Sequence, residues 1–144
     1  MAELSKPTSG RAPAVRPGAE EGGSSAALLC IVAWLVPGAG HFMLGQNRKA
    51  IVFFLVLTLM YVIGLTFGGR LFPVGTTEPL VFLAGLAQWA AGLPRVVAAI
   101  GGFGQGIVTS ITYEYGNTFL IVSGLLNTLV VLDTYDVATG RKPR

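Results

Sequence analysis

The chain has 144 residues, with 52% hydrophobic and only 12% charged side chains and a mean hydropathy of +0.65. A soluble domain carries about 25% charge, and one this small could not hide the wholly uncharged segments 50–68 and 115–132 around their full circumference. The net charge of +3 sits in tails and short loops beside apolar runs, which reads as topology determinants facing anionic lipid and argues against nucleic acid.

Residues 1–25 are rich in Pro, Gly, Ser, Ala and charge, and Pro7, Pro13 and Pro17 break any helix there. This composition predicts a disordered tail. The single cysteine, Cys30, excludes an intrachain disulfide. Leu29 just ahead of it and the polar stretch Glu20–Ser25 exclude a lipoprotein site, and the same upstream acidity argues against a cleaved signal peptide.

The first apolar segment runs from Ala26 to Val36 and meets Pro37-Gly38-Ala39-Gly40. Proline removes a backbone donor, so the helix is expected to kink or to end near Val36. Continuation to Gly45 would make a span, while a re-entrant segment is the alternative. After the polar turn Gln46–Lys49, residues 50–68 form the clearest span, covering about 28 Å as a helix. A loop through Pro73, Gly75 and Pro79 leads to a third span over 80–100. It is expected to run through Pro94 and Arg95, with the arginine snorkelling to the headgroups; a helix stopping at Leu93, short and re-entrant, is the alternative. Gly101, Gly102, Gly104 and Gly106 then predict a flexible connector, and 117–136 is the fourth span.

The expected fold is therefore all-α: an integral membrane helical bundle of about four transmembrane helices. Residues 1–25 form a disordered cytoplasmic tail, 26–136 the transmembrane domain (spans about 26–45, 50–68, 80–100 and 117–136), and 137–144 a basic tail. Four spans put Lys6, Arg11, Arg16, Arg70, Arg141, Lys142 and Arg144 on one side and Arg48, Lys49 and Arg95 on the other. The positive-inside rule then places both termini in the cytoplasm, although the Arg48-Lys49 pair argues the other way.

The run Pro37-Gly38-Ala39-Gly40-His41-Phe42-Met43-Leu44-Gly45, followed by Arg48-Lys49, resembles the core motif of the two-transmembrane-helix domain family. It departs from that pattern in lacking a charged residue between His41 and Phe42 and an acidic end to the second helix. The C-terminal run Tyr113-Glu114-Tyr115-Gly116-Asn117, Asn127, and Asp133-Thr134-Tyr135-Asp136 through Arg141-Lys142 extends the likeness over nearly everything after Ser25. The chain as a whole is similar to an uncharacterised bacterial multi-pass membrane protein family of unknown function. That resemblance implies a bacterial inner-membrane protein and supplies no activity.

Among polar residues, His41 is the only histidine. It is expected to satisfy carbonyls freed by Pro37, and alone it makes no metal site. Four spans place His41 and Glu114 on the outer side, where Glu114 would pair with Arg48, Lys49 or Arg95, and place Asp133 and Asp136 on the inner side. The two aspartates share a helix face and are expected to pair with Arg141 or Lys142. Asn127 lies in mid-membrane, where it would bond another helix along a seam with Ser123, and Gly64/Gly68 and Ala87/Ala91 predict close packing. Pro37, Gly38 and Gly40 mark the helix break.

No phosphate loop, G-x-S-x-G elbow or HExxH motif is present, and no cofactor is implied. The first functional reading is a non-catalytic scaffold or accessory subunit, with the lipid bilayer and a membrane protein partner or a homo-oligomer as its contacts. The second is a small oligomeric transporter or ion channel using the broken helix and Asn127. The third is a membrane enzyme acting on lipid through His41 and Glu114.

Overall fold

The computed structural model describes residues 19–143. Its helices are α1 (Ala19–Leu35), α2 (Ala39–Met43), α3 (Asn47–Thr66), α4 (Pro79–Trp89), α5 (Leu93–Ile100) and α6 (Tyr113–Ala138). By length and composition, α3 and α6 can each cross a membrane; α4 and α5 would add a third crossing only if counted as one span, and they are bent against each other by 107°. Many apolar side chains of α3 point outward, with Ile51, Leu55 and Leu59 all more than half exposed. That inversion suits a hydrocarbon solvent.

Helix α6 is the axis of the fold. Its buried face carries small and polar residues, among them Gly116, Ser123, Gly124, Asn127 and Thr134. Small residues let backbones approach closely, which is what drives helix association in lipid. Helix α3 packs antiparallel on this face. A Cβ on Gly64 would lie 2.8 Å from Leu120 Cγ, and at the other end the Phe53 ring meets His41 edge-on at 5.1 Å.

Helix α1 also runs antiparallel to α6 but reaches only its middle, where the Trp34 carbonyl meets Asn127. The chain then turns back. Gly38 adopts φ 82°, and a Cβ there would lie 2.5 Å from the Ala50 carbonyl oxygen, so no other residue fits. Helix α2 returns toward the C-terminal end of α6, seating Gly40 against Thr134 and Ala33.

Helix α4 descends parallel to α6 from the opposite end. Its Ala87 carbonyl lies against Gly124 and its Ala90 carbonyl reaches Asn127. Gly92, at φ 69°, turns the chain; its missing side chain leaves room for Trp34, whose carbonyl oxygen would be 2.0 Å from a Cβ. Helix α5 then runs back, and the following loop is fastened by Leu71 N–H to Gly104 (2.8 Å) and Ile107 N–H to Gly68 (3.0 Å). Two hairpins thus enter from opposite ends and meet tip to tip at mid-height.

This differs from the expected order in several places. The segments expected as single spans over 26–45 and 80–100 are each two helices. Pro94 does not sit inside a helix; it occupies the first turn of α5, where its missing N–H and fixed φ are well tolerated. The Gly-rich stretch after Ile100 is held to residues 68–71 rather than free. Residues 19–25, expected in the disordered tail, belong to α1. The remainder of that expectation, residues 1–18, lies outside the described residues. Of the small-residue pairs, Gly64 packs on α6, whereas Gly68 lies beyond α3 against Ile107.

Candidate functional site

The two hairpin tips converge on one side chain. Asn127 is fully buried, and its Nδ2 donates to Trp34 O at 3.1 Å and Ala90 O at 2.9 Å. A helix leaves its last four carbonyls without intrahelical partners, and these two belong to the last turn of α1 and to the residue closing α4. One amide therefore caps both helix ends, each carrying the negative pole of a helix dipole. The Oδ1 atom of the same amide is buried and has no hydrogen-bond partner.

A second polar cluster lies toward the C-terminal end of α6. His41 is fully buried; its Nε2 lies 2.8 Å from Asp133 Oδ2 and its Nδ1 3.1 Å from Thr134 Oγ1. The Thr134 hydroxyl is also 2.9 Å from the Val130 carbonyl. Threonine has one hydroxyl proton. If it goes to Val130, Thr134 accepts from Nδ1–H, and His41 is an imidazolium facing the Asp133 carboxylate. If it goes to Nδ1, His41 is neutral and donates only from Nε2–H.

Lys142 closes the cluster from outside by bonding Asp133 Oδ1. That hydrogen bond, and after it the carboxylate charge, raises the Lys142 ammonium above its usual 10.5. Arg141 stands 3.8 Å from Asp136 with both side chains well exposed, a pair of small energetic value. The Asp–His–Thr sequence of contacts resembles a nucleophile relay, but Thr134 is fully buried and wedged against Gly40. No substrate carbonyl can approach its oxygen.

Three sequence expectations are corrected here. His41 and Asp133 lie at the same end of the bundle, because α2 turns back instead of continuing through. Glu114 is exposed and, among the described residues, makes no ion pair; it sits twenty residues before Thr134 in α6, about 30 Å away along the helix. The His41–Glu114 pair needed by a lipid enzyme does not form. Arg95 does not snorkel either. It is 8% exposed and donates to Gln88 Oε1 at 3.0 Å and Phe72 O at 2.8 Å, with its guanidinium 5.1 Å from the Trp89 ring centroid.

The model of a family of unknown function, DUF6677, matches residues 28–143. The chain belongs to this family. No curated protein and no solved structure matches it. The DUF6677 region takes in both hairpins, the Asn127 junction and the His41 cluster.

Several polar residues escaped the sequence reading. Gln88 Nε2 donates to Arg70 O and its Oε1 accepts from Phe72 N–H, and Asn117 Oδ1 accepts from Arg70 N–H. Together they tie residues 70–72 between α4, α5 and α6. Their signal was available: isolated amide side chains within apolar helices. Thr134 gave none, since threonine in an apolar helix more often bonds back to its own backbone.

Proposed function

We propose that this protein is a non-catalytic multi-pass membrane protein that passes a small solute or ion along the junction of its two hairpins. The observation that carries this is the meeting of two half-helix ends at Asn127. A continuous helix satisfies its own backbone within lipid, whereas a broken one leaves polar groups that cost several kcal/mol each when unpaired. A scaffold gains nothing from two such breaks. Transport proteins place discontinuous helices at the membrane midplane because their ends bind and release polar cargo. The unpartnered Asn127 Oδ1 supports the same reading.

In this arrangement only α3 and α6 cross, and the hairpins α1–α2 and α4–α5 re-enter from opposite faces. The start of α1, the 44–47 turn and the residues after α6 then share a face. Of the basic residues among those described, Arg48, Lys49, Arg141 and Lys142 lie there, against Arg70 and Arg95 on the other. The Arg48-Lys49 pair that opposed four spans now agrees with the rest, and the positive-inside rule puts this face in the cytoplasm of an inner membrane.

The test is flux in proteoliposomes of the full chain, with radiolabelled sodium, rubidium, chloride and glycerol as probes. Flux of one probe above protein-free vesicles, lost in a monodisperse Asn127→Leu preparation, supports the reading. Impermeable vesicles for all four, together with a stoichiometric partner on purification from native membranes, would return the protein to an accessory-subunit role.

A further inference from the structure

Thr58 of α3 carries a buried hydroxyl with no hydrogen-bond partner. A threonine in an apolar helix usually bonds back to its own backbone, as Thr66 of the same helix does to the Ile63 carbonyl at 2.9 Å. A buried hydroxyl left unpaired costs free energy that a partner would recover. Thr58 is also the twelfth of the twenty residues of α3, roughly 17 Å from one end of the helix and 12 Å from the other. Where α3 crosses the membrane, Thr58 therefore lies near the midplane.

Thr58 lines a cavity of about 520 Å³ between α3, α5 and the Val36–Pro37 tip of the first hairpin. Among the described residues none in its wall is charged, and besides Thr58 only Tyr61 and Thr66 bring polar side chains to it. Both of these are engaged, Thr66 with the Ile63 carbonyl and Tyr61 with Arg95. Arg95 is itself held by Gln88 and Phe72 and is not part of the wall. Val62 and Val97 of the wall are about half exposed, so the cavity opens on the outer, lipid-facing side of the bundle. A second apolar cavity of about 320 Å³ shares Val36, Pro37 and Phe54 with the first and continues along α3 to Ala50 and Ile51. Both volumes fall in the range of small-molecule sites, about 300–1,000 Å³, which pair an apolar lining with a few polar groups.

We propose that this cavity binds an uncharged single-chain lipid bearing a carbonyl group, which accepts a hydrogen bond from Thr58 while the chain lies along α3. The apolar wall and its continuation toward Ile51 select the chain. The depth of Thr58 and the lack of charge in the wall select a neutral head, since a phosphate or an ionised carboxylate there would be an unpaired charge in hydrocarbon. The hydroxyl selects an acceptor over a plain alkyl chain, which would fill the volume and leave Thr58 unpaired. Threonine in a helix uses two χ1 rotamers, so a turn about χ1 lets the hydroxyl present its proton to a bound carbonyl. Entry is from the bilayer, where such lipids reside. The site stands independently of the transport reading, because binding is measured without flux.

The experiment is photolabelling of the full chain in phosphatidylcholine nanodiscs by methyl palmitate carrying a diazirine in its chain, with the labelled residues located by peptide mass spectrometry. Unlabelled methyl palmitate, hexadecane and palmitate, the last ionised at about pH 9, serve as competitors. Expected is saturable labelling on the cavity wall, at Val62, Leu65 or Val97, displaced by the ester at a concentration about fivefold lower than by hexadecane, with palmitate the weakest competitor. Thr58→Val keeps the shape and removes the hydroxyl, so it should make ester and hexadecane equal. Val97→Phe should weaken labelling and erase the competition by filling the cavity without touching Thr58. Equal displacement by ester and hexadecane on the wild type would overturn the carbonyl assignment and leave an ordinary acyl-chain contact. Stronger displacement by palmitate would overturn the choice of a neutral head. Unsaturable labelling spread over the exposed residues of α3, unchanged by Val97→Phe, would overturn the site altogether. Should Thr58→Val fail to fold, the three competitors on the wild type still decide.

Discussion

His41 Nε2 lies 2.8 Å from Asp133 Oδ2, across ninety-two residues of chain. This contact fixes the direction of the first hairpin, because Asp133 sits near the end of α6 and His41 on the arm that follows Pro37. The chain can reach Asp133 only by turning back after Gly38. A simple labelling experiment follows. With Cys30→Ser as background, Asn47→Cys and Thr139→Cys should react with an impermeant thiol reagent from the same face of the membrane, and Thr77→Cys from the other. Four through-going spans instead predict Asn47 opposite to both Thr77 and Thr139.

Lys142 gives a pH test of the same cluster. Its ammonium is raised above 10.5 by the hydrogen bond and charge of Asp133. A basic group whose folded value is raised contributes stability that is complete below the unfolded value and is lost as pH rises through the folded one. The difference in thermal stability between wild type and Lys142→Met should therefore be constant up to pH 10.5 and close above it. Lys142 is exposed, so the difference should be modest and should shrink with added salt. A gap that widens with rising pH would contradict the pairing.

How much of this was legible in the sequence differs from residue to residue. Pro37-Gly38 after an apolar run announces the end of α1, since proline lacks the donor and glycine alone takes the turn. The direction taken afterwards is not local information. It depends on Gly40 fitting against Thr134 and Ala33, a contact with no periodic signal. Pro94 misled for a related reason: a proline begins a helix as readily as it kinks one, and only Gly92, through its positive φ, separates the two outcomes. One misread turn changes the parity of crossings, and that parity had assigned His41 and Asp133 to opposite faces. The exposed apolar surface of α3, by contrast, follows from composition alone.

Gly92 offers the sharpest steric prediction. At φ 69° and ψ −127° it adopts a conformation that side-chain-bearing residues avoid, and a Cβ would fall 2.0 Å from the Trp34 carbonyl oxygen. Gly92→Ala should destabilise the protein by at least about 2 kcal/mol, through backbone strain and separation of the hairpin tips. Gly75, with nothing within 4 Å of a Cβ, is the control; Gly75→Ala should stay within about 0.5 kcal/mol. Denaturant unfolding in a single detergent would compare the two, and equal losses would show that the tips do not touch.

Asn127 separates the capping role of the junction from mere filling of space. Asn127→Leu conserves bulk but strips the donor from Trp34 O and Ala90 O, and should cost about 1–3 kcal/mol. Asn127→Asp conserves shape, yet at pH 8 it sets a carboxylate against two carbonyl oxygens at the negative ends of two helices. It should be less stable than Asn127→Leu at that pH and should recover as the pH falls, because a protonated carboxyl regains one donor. Steric filling alone predicts the opposite order at pH 8, with the near-isosteric aspartate the milder change. Unfolding curves of the two variants at two pH values therefore decide whether this one amide holds the hairpins together.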